Sequence, residues 1–552
     1  ATDLPVPTRI VTETTAGTGT ATGRAREEEA GSNASHTGSA AGANATSSVL
    51  VGTPNAEWGV GSVRQALVNA NHGAVCPAPC TIAFNLPGGQ RTSTPPTALP
   101  AITAASVRID ATTQPGYSGT PLVTLDGSSN PNPSAGLQLS GGNDTVKGLS
   151  IVTFQGPAIA IDTAGSNTIS GNYLGIHTDG STAGQNAGDG VLITTANNII
   201  GGTTGAARNV ISGNFGSGVV IKGVSGNAVR GNYIGLNAAG TTAVANQTDG
   251  VQILNGASSN SIGGTTTAER NVISGNFNSG IYMSSGSSNC AGNAIAGNYI
   301  GTDAAGTASI GNTTAIYLGT NVSFNTIAGN TMVSSGGGIT FDGPGIGNAI
   351  LGNTFAGNSG LSIDLANDGA TPNDAGDGDV GANNLQNTPT FVDASLAAGT
   401  LTARVNVDSA SVANTAGLRV ELFKSDASGA HALAFLASQC FAGNALNGVS
   451  ITVSSAPVVI GDKLVATATS YSDAACSTIA DGTSELSPAV AINTCTPPSA
   501  TTTQSGPTPT CPSGTVNPTA AAGTPHKRRH PPHPTASPPA HPYRATPPRS
   551  NH

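Results

Sequence analysis

Short phrases recur along this chain, and the repetition restricts the possible fold more than any other feature of the sequence. The phrase GNYLG at 171 returns as GNYIG at 231 and 297, and RNVISGNF at 208 returns at 270. A chain that repeats a unit every 20–50 residues or so builds a solenoid, a propeller or an array, in which each unit packs on the next. The sequence therefore predicts a stacked, repetitive architecture.

A strand-like phrase with alternating apolar residues recurs at intervals of 22 to 35 residues. Alternation with a period of two indicates strands, and 75 Gly and 34 Pro in 552 residues disfavour long helices. We therefore expect an all-β chain whose main domain is a parallel β-helix of about nine coils, with three short strands in each coil. The copies of the phrase are GLQL (136), AIAI (158), GVLI (190), GVVI (218), GVQI (250), GIYM (280), AIYL (315), GITF (338) and LSID (361).

Two sets of residues should form the inside of such a helix. The inward apolar positions are predicted to be Val191, Ile193, Val219, Ile221, Val251 and Ile253, with a second row of Ile199 or Ile200, Val229, Ile262 and Ile295. An Asn followed by x-Ile or x-Val also recurs, and we expect it in a tight left-handed bend with its amide bonded to the Asn of the next coil. Its copies are Asn143, Asn167, Asn198, Asn227, Asn260, Asn293, Asn325 and Asn348.

Composition shifts divide the chain into six segments. A solenoid needs a cap over its first coil, and Val63, Ala66, Leu67 and Ala70 would form one face of a short helix within 62–71. Later alternating runs, spaced by about ten residues, predict an antiparallel sandwich of immunoglobulin-like type. The predicted segments are a disordered start (1–48), a cap with the first strands (49–135), the β-helix (136–366), an acidic Gly-rich connector (367–397), the sandwich (398–493) and a disordered Pro-, Thr- and His-rich tail (494–552).

Charge and cysteine content narrow the function classes. The formal net charge is −9, and the last 57 residues carry five basic and no acidic side chains, so the remaining chain is acidic and nucleic-acid binding is disfavoured. We expect no membrane span, since no run of about 18 apolar residues exists, and no signal peptide in the chain as given, although a leader could have been removed.

Cys76 with Cys80 would form a disulfide or stay as thiols. Cys440 with Cys476 and Cys495 with Cys511 could form two further pairs, leaving Cys290.

The phrases GNYIG, DGV-x-I, N-x-IGGTT and RNVISGN resemble the right-handed parallel β-helix repeat proteins of bacterial extracellular and cell-surface chains, which share their fold with pectin-degrading enzymes. The segments GSVRQALVNAN (61–71), TIAFNLPG (81–88) and 108–129 are similar to the usual opening of such repeats, and 361–389 resembles their usual close. The resemblance covers about 61–492. It implies the fold and an extracellular or cell-surface location, and it says little about activity.

Catalytic candidates are sparse. A polysaccharide lyase needs a basic side chain to remove a proton next to a sugar carboxylate, and a hydrolase needs paired carboxylates. On the outward positions that follow the strand phrase, Asp162 and Lys222 lie two coils apart, about 10 Å, and Arg230 could approach Lys222. The alternative is that these are three solvated surface charges. Arg208 and Arg270 recur in matching copies of one phrase, which favours a structural role such as bonding loop carbonyls.

Two binding features remain as hypotheses. Tyr173, Tyr233 and Tyr299 recur on alternate coils, about 9.6 Å apart, and could stack on the sugars of an extended glycan. The alternative is that these rings pack beneath the long loops that follow them. A dense acidic group at the end of the β-helix and in the connector could hold a structural calcium ion, which accepts irregular oxygen shells, or it could be a solvated hinge. Its carboxylates are Asp364, Asp368, Asp374, Asp377 and Asp379.

The sequence therefore predicts a secreted or surface-exposed β-helix protein that binds polysaccharide or has a structural role. The alternative function is that of a lyase or epimerase acting on uronate-containing glycans. The fold permits this function, but the residues provide no catalytic centre for it. A passive stalk or matrix protein would have the same sequence signature as the binding protein.

Overall fold

The computed structural model of the protein describes residues 47–53, 59–409 and 415–494. Three long sheets of parallel strands form the larger part of it, and each strand pairs with the equivalent strand one coil before and one coil after. The chain passes from sheet A to sheet B to sheet C and then returns to sheet A. This is the predicted parallel β-helix, and nine coils contribute a strand to sheet C.

The strand bounds follow each sheet in chain order. Sheet A contains Ser47–Val51, Cys80–Phe84, Val107–Asp110, Thr145–Lys147, Thr168–Ser170, Ile199–Gly201, Ala228–Arg230, Ser261–Gly263, Ala294–Ala296, Thr326–Ala328 and Ala349–Leu351. Sheet B contains Thr92–Ser93, Val123–Asp126, Leu149–Val152, Tyr173–Leu174, Val210–Ile211, Tyr233–Ile234, Val272–Ile273, Tyr299–Ile300, Thr331–Val333 and Thr354–Ala356. Sheet C contains Leu137–Leu139, Ile159–Ile161, Val191–Ile193, Val219–Lys222, Val251–Leu254, Ser279–Ser284, Thr314–Leu318, Gly337–Phe341 and Ile363–Asp364.

The interior of the β-helix is a continuous apolar column. All six predicted inward residues of sheet C are fully buried, and in the second row Ile200, rather than Ile199, points inward with Val229, Ile262 and Ile295. Full burial of a Val or Ile side chain stabilises the fold by about 1.5–3 kcal/mol. Because every coil repeats this contribution, the core prediction is confirmed and explains why strands of two to four residues persist.

A ladder of buried asparagines runs along the bend before sheet A. Each side-chain Nδ2 donates to the Oδ1 of the next Asn at 2.9–3.1 Å, as predicted. The ladder begins at Asp144 and not at Asn143, because Asp144 N donates to Asn167 Oδ1 at 2.9 Å while Asn143 is exposed. The ladder continues as Asn167, Asn198, Asn227, Asn260, Asn293, Asn325 and Asn348.

The left-handed bend lies one residue before each ladder residue. The predicted position is therefore confirmed for Asn143 (φ 55°), which precedes Asp144, and is wrong by one residue for the seven ladder asparagines. Positive φ angles occur at Ser166 (63°), Asn197 (63°), Gly226 (74°), Ser259 (54°), Gly292 (66°), Phe324 (58°) and Gly347 (69°). The turn of the backbone at this position aims the following Asn side chain inward, where its amide replaces the strand hydrogen bonds that end at the corner.

Two further asparagine ladders support the other bends of the coil. One precedes sheet B, with Nδ2 to Oδ1 distances of 3.0–3.2 Å. The other precedes sheet C, with distances of 2.9–3.1 Å. They consist of Asn172, Asn209, Asn232, Asn271, Asn298, Asn330 and Asn353, and of Asn186, Asn214, Asn246, Asn276 and Asn312.

The predicted cap helix spans Val63–Asn71 and contacts the first two strands of sheet A. Its predicted apolar face is buried, and Ser62 accepts a hydrogen bond from Gln65 N at the helix start. In the described part of the chain, single turns of 3-10 helix also occur at Ala111–Thr113, Gly127–Ser129 and Gly205–Ala207, whereas the turn at Ala382–Leu385 contains left-handed backbone at Asn383 and Asn384.

Two antiparallel sheets follow the β-helix and share one apolar core, which makes them a sandwich. The first strand, Thr390–Ala397, falls in the segment predicted as connector. The first sheet contains Thr390–Ala397, Thr400–Asp408, Ala445–Val453 and Asn493–Thr494. The second contains Gly417–Ser425, Ala432–Ala442, Lys463–Tyr471, Ile479–Thr483 and Val490–Ala491.

The sandwich packs directly on the last coil. Ile350 N donates to Thr483 Oγ1 at 2.8 Å, and Gly352 N donates to the buried Glu421 carboxylate at 2.6 Å. The connector also extends the first asparagine ladder, because Asn348 N donates to Asn383 Oδ1 at 3.0 Å.

Disulfides join Cys76 to Cys80 and Cys440 to Cys476. Cys290 is a buried free thiol, and Cys495 and Cys511 lie outside the described residues.

Candidate functional site

A groove of about 660 Å³ lies on the outer face of sheet C, over the fifth to seventh strands of that sheet and the end of the eighth. Strand pairing places Gln252, Tyr282 and Tyr317 in one outward column, because they are register partners on consecutive coils. Ser284 and Asp342 belong to the neighbouring column. Hydroxyl, amide and carboxylate groups therefore surround an aromatic centre.

The two tyrosines form a parallel pair. The Tyr282 and Tyr317 ring centroids are 5.6 Å apart with an interplanar angle of 16°. The Tyr317 hydroxyl donates to Asp342 Oδ2 at 2.5 Å. Burial, followed by the Asp342 carboxylate, raises the pKa of Tyr317, so this phenol stays protonated and keeps the Asp342 carboxylate in place.

Asp249 closes the opposite edge of the groove and is largely buried. Its Oδ1 accepts from Ser279 N at 2.8 Å and its Oδ2 accepts from Gln252 Nε2 at 2.7 Å. Burial raises the pKa of Asp249, while these hydrogen bonds oppose the shift. The carboxylate thus orients Gln252, whose amide forms part of the groove wall.

Two exposed phenylalanines lie at the bend before sheet C. Phe215 is 61% exposed and Phe277 is 65% exposed, and both follow an Asn of the third ladder, two coils apart. Phe277 is next to the groove, since Asn278 and Thr313 line it and Thr313 Oγ1 donates to Phe277 O at 2.6 Å. The final Phe of RNVISGNF was the sequence signal for this aromatic pair.

The three tyrosines predicted to stack on sugars lie in sheet B and are covered. Tyr173 is buried, and the Arg208 and Arg270 guanidinium groups lie 4.1 and 3.9 Å from the Tyr233 and Tyr299 ring centroids. Glycines of the following loops also contact the rings, as a Cβ at Gly240 would stand 2.8 Å from Tyr233. This geometry matches packing beneath the loops and disfavours sugar stacking, which stays a prediction.

Arg208 and Arg270 have the architectural contacts expected of them. Arg208 Nε donates to Gly231 O at 3.3 Å, and Arg270 Nε donates to Gly297 O at 3.2 Å. Each arginine therefore ties one coil to the next and also covers a tyrosine ring.

The catalytic candidates do not converge. Asp162 accepts hydrogen bonds from Gln138 Nε2 at 2.7 Å and Ser140 Oγ at 2.5 Å, and Lys222 is exposed two coils away on the same face. Arg230 lies on sheet A, where Nη1 is 3.6 Å from Glu269 Oε1. Lys222 and Arg230 thus belong to different sheets, so the predicted approach of Arg230 to Lys222 is not observed.

Three of the five carboxylates in the predicted acidic group converge and could hold a metal ion. The ligand oxygens of Asp374, Asp377 and Asp379 lie within 4.8 Å of one another, whereas Asp364 and Asp368 are outside this group. Burial raises the pKa of Asp377 to about 7, and the nearby Asp379 and Asp374 charges add to this rise. Hydrogen bonds from Asn387 N and Ser409 act in the opposite direction.

The oxygen atoms of this cluster suit a hard cation. Asp377 Oδ1 accepts from Asn387 N and its Oδ2 accepts from Gln386 Nε2, both at 2.8 Å, so the site is rigid. Asp379 Oδ1 is buried without a hydrogen-bond partner. Three carboxylates, one with an unpartnered oxygen, fit the oxygen ligands that calcium prefers.

A second cavity, of about 500 Å³, lies where the sandwich meets the last coil. Its buried carboxylate, Glu485, accepts from Leu365 N and Thr371 N at 2.8 Å. Both oxygens of Glu485 are therefore engaged in holding the junction.

No family model matches the chain, and no curated protein matches it. Its structure is similar to the A-module of the mannuronan C-5 epimerase AlgE4 from Azotobacter vinelandii, with 15% identity, 53% of this chain and 84% of that chain covered, and a TM-score of 0.30. It is also similar to an alginate lyase from Paenibacillus sp. str. FPU-7, with 16% identity, coverages of 57% and 97%, and a TM-score of 0.24.

A third match is the full-length tailspike protein 2 of Escherichia coli O157:H7 bacteriophage CAB120, with 10% identity, coverages of 77% and 62%, and a TM-score of 0.24. At such identities the function has to be inferred from the residues of this chain. Among the described residues, no helix has the length and apolar character needed to cross a membrane.

Proposed function

We propose that the protein binds a polysaccharide along the outer face of sheet C. The observation that carries this proposal is the Tyr282–Tyr317 pair, set in a groove between Asp249 and Asp342 with the exposed Phe277 at its rim. Aromatic rings provide apolar contact to sugar faces, while fixed carboxylate, amide and hydroxyl groups bond sugar hydroxyls. The coil spacing of about 4.8 Å lets an extended chain meet equivalent positions repeatedly.

Binding is tested with a glycan array and isothermal titration calorimetry on the full chain. We expect Tyr282→Ala and Phe277→Ala each to weaken binding about two- to tenfold, since such aromatic contacts contribute about 0.5–1.5 kcal/mol beyond buried area. Phe324→Ala is the matched control, because Phe324 is 51% exposed and lies at the bend before sheet A.

The same arrays test the earlier hypothesis. A triple Ala variant of Tyr173, Tyr233 and Tyr299 should keep its binding if the groove is the site. Loss of binding in the triple variant, with no effect of Tyr282→Ala, would move the site to sheet B.

A lyase or epimerase acting on uronates is the competing function, and one assay separates it from binding. Incubation with pectate or alginate should produce no absorbance of unsaturated sugars if the protein binds without cleavage. Retention on a polysaccharide column without turnover supports the binding role, and time-dependent absorbance would replace it by a lyase. Epimerisation without cleavage would appear as a changed uronate composition of recovered alginate.

For the connector we propose a structural calcium site formed by Asp374, Asp377 and Asp379. The support is their convergence within 4.8 Å and the unpartnered Asp379 oxygen. Calorimetry with calcium should show binding, and the melting temperature should fall in chelator. Asp368→Asn is the control variant: it should respond to chelator as the wild type does, because Asp368 lies outside the cluster. An unchanged melting temperature of the wild type in chelator would indicate a solvated hinge instead.

We also propose an extracellular or cell-surface location. Two disulfides in the described part of the chain support it, since disulfides persist in oxidising compartments. Fractionation of the producing cells with thiol labelling tests this proposal, and reduced, labelled cysteines in the cytoplasmic fraction would contradict it.

A further inference from the structure

The groove on sheet C carries negative and no positive charge among the residues that line it. Asp249 and Asp342 are its two ionisable carboxyl groups, and neither Lys, Arg nor His is present in its lining. The Asp342 side chain is exposed and receives the Tyr317 hydroxyl, so its charge is fixed at the groove surface. The net charge of −9 on the whole chain has the same sign.

Lys222, a basic residue on the same outer face, lies outside the lining. It is the register partner of Leu254, which is in turn the partner of Ser284 in the groove. Register continues from Ser284 over two further coils, which places Lys222 about 19 Å from Asp342. That separation is about two Debye lengths at 0.1 M salt, so Lys222 does not offset the charge of Asp342.

A uronate polymer would bring a carboxylate on each residue against Asp342. Like charges at close range repel, and the Tyr317 ring beside Asp342 lowers the local screening. An uncharged sugar chain has no such penalty, since its hydroxyls can donate to Asp342 and its ring faces can contact the aromatic pair.

We infer that the ligand of the groove is an uncharged polysaccharide and that the groove discriminates against uronate polymers. This inference rests on the proposed binding function and specifies its ligand class. It also separates this chain from a protein that recognises acidic sugars, which would place Arg or Lys at the carboxylate.

The test compares one polysaccharide backbone with and without its carboxylate charges. Binding of the full chain to fully methyl-esterified polygalacturonan and to polygalacturonate is measured by affinity electrophoresis at about 0.1 M salt in buffer containing chelator, beside an array of neutral glucans, mannans and galactans. We expect the neutral polymers to bind at least tenfold more tightly than the uronates, with the difference shrinking at higher salt.

Asp342→Asn removes the charge and keeps the size of the side chain, so it should raise uronate affinity at least threefold relative to neutral-glycan affinity. Asp162→Asn is the matched control, since register places Asp162 in the column of Asp342 but six coils away, about 29 Å. Equal or tighter binding of uronates by the wild-type protein would overturn the inference and keep the binding function. Binding to no glycan at all would overturn both.

Discussion

The asparagine ladder before sheet A makes a direct prediction about stability. In Asn293→Ala, Asn260 N and one Asn260 Nδ2 proton lose their acceptor, Asn293 Oδ1, at 3.0 and 3.1 Å. Ala257 O also loses the Asn293 Nδ2 donor at 3.0 Å. Asn260 and Asn293 are each 1% exposed, so water does not readily replace these partners.

The expected cost follows from those three groups. A buried polar group left unsatisfied costs about 1–3 kcal/mol, so the sum is about 3–9 kcal/mol, of the same order as the stability of a whole domain. Neighbouring rungs relax together, and we therefore expect a loss of at least about 3 kcal/mol.

Guanidinium denaturation followed by far-UV circular dichroism measures this loss through the midpoint and the slope of the transition. The control is Asn289→Ala, because Asn289 is exposed on the same coil and surface changes usually stay within about 0.5 kcal/mol. A cost for Asn293→Ala below about 1 kcal/mol, indistinguishable from the control, would refute the view that the ladder holds the corners.

Three further predictions follow from individual positions. Burial raises the pKa of Asp144 to about 6, and its Oδ2 has no partner. Asp144→Asn should therefore stabilise the protein by up to roughly 3 kcal/mol at pH 7 and by much less at pH 3.5, where the acid is mostly protonated in both states. Equal denaturation midpoints of wild type and variant at pH 7 would contradict this. Gly301→Ala should lower the free energy of unfolding by well above the roughly 1–2 kcal/mol of a left-handed residue, because its Cβ would stand 1.9 Å from Val333 O. Gly329→Ala has nothing within 4 Å of its Cβ and should cost only about that amount. Similar denaturation midpoints for the two variants would contradict this. In chelator, stability of the wild type should fall as pH rises from about 4 to 7, since the folded-state pKa of Asp377 is raised to about 7, and Asp377→Asn should flatten that pH profile when midpoints are compared.

The repeat spacing predicted the coil, its inward residues and one corner ladder, because those features recur at fixed positions in the chain. The other two ladders were missed, since their asparagines are divided between different phrases, as Asn172 in GNYLG and Asn209 in RNVIS show. Only strand register reveals that Asn172 and Asn209 share a corner.

The groove was also beyond the sequence. Tyr282 and Tyr317 stand 35 positions apart in the unlike phrases GIYM and AIYL, and coil lengths vary, so their stacking depends on the register between strands. The tyrosines that repeat visibly are covered by the structure, and arginines lie over two of them, Tyr233 and Tyr299. Regular recurrence here accompanies architectural contacts, while the tyrosine pair at the centre of the candidate site is formed by residues that break the repeat.

The contact between the sandwich and the last coil has a consequence for self-association. An uncovered final rung would present unpaired amides and carbonyls, on which a second molecule could stack end to end and grow a fibre. Here Gly347 N donates to Asp481 O at 2.7 Å, Thr483 N donates to Asn348 O at 3.2 Å, and Gly352 N donates to the Glu421 carboxylate at 2.6 Å. The terminus of the stack is already occupied by the protein's own chain, so coil number is set within one molecule and polymerisation through this end is blocked.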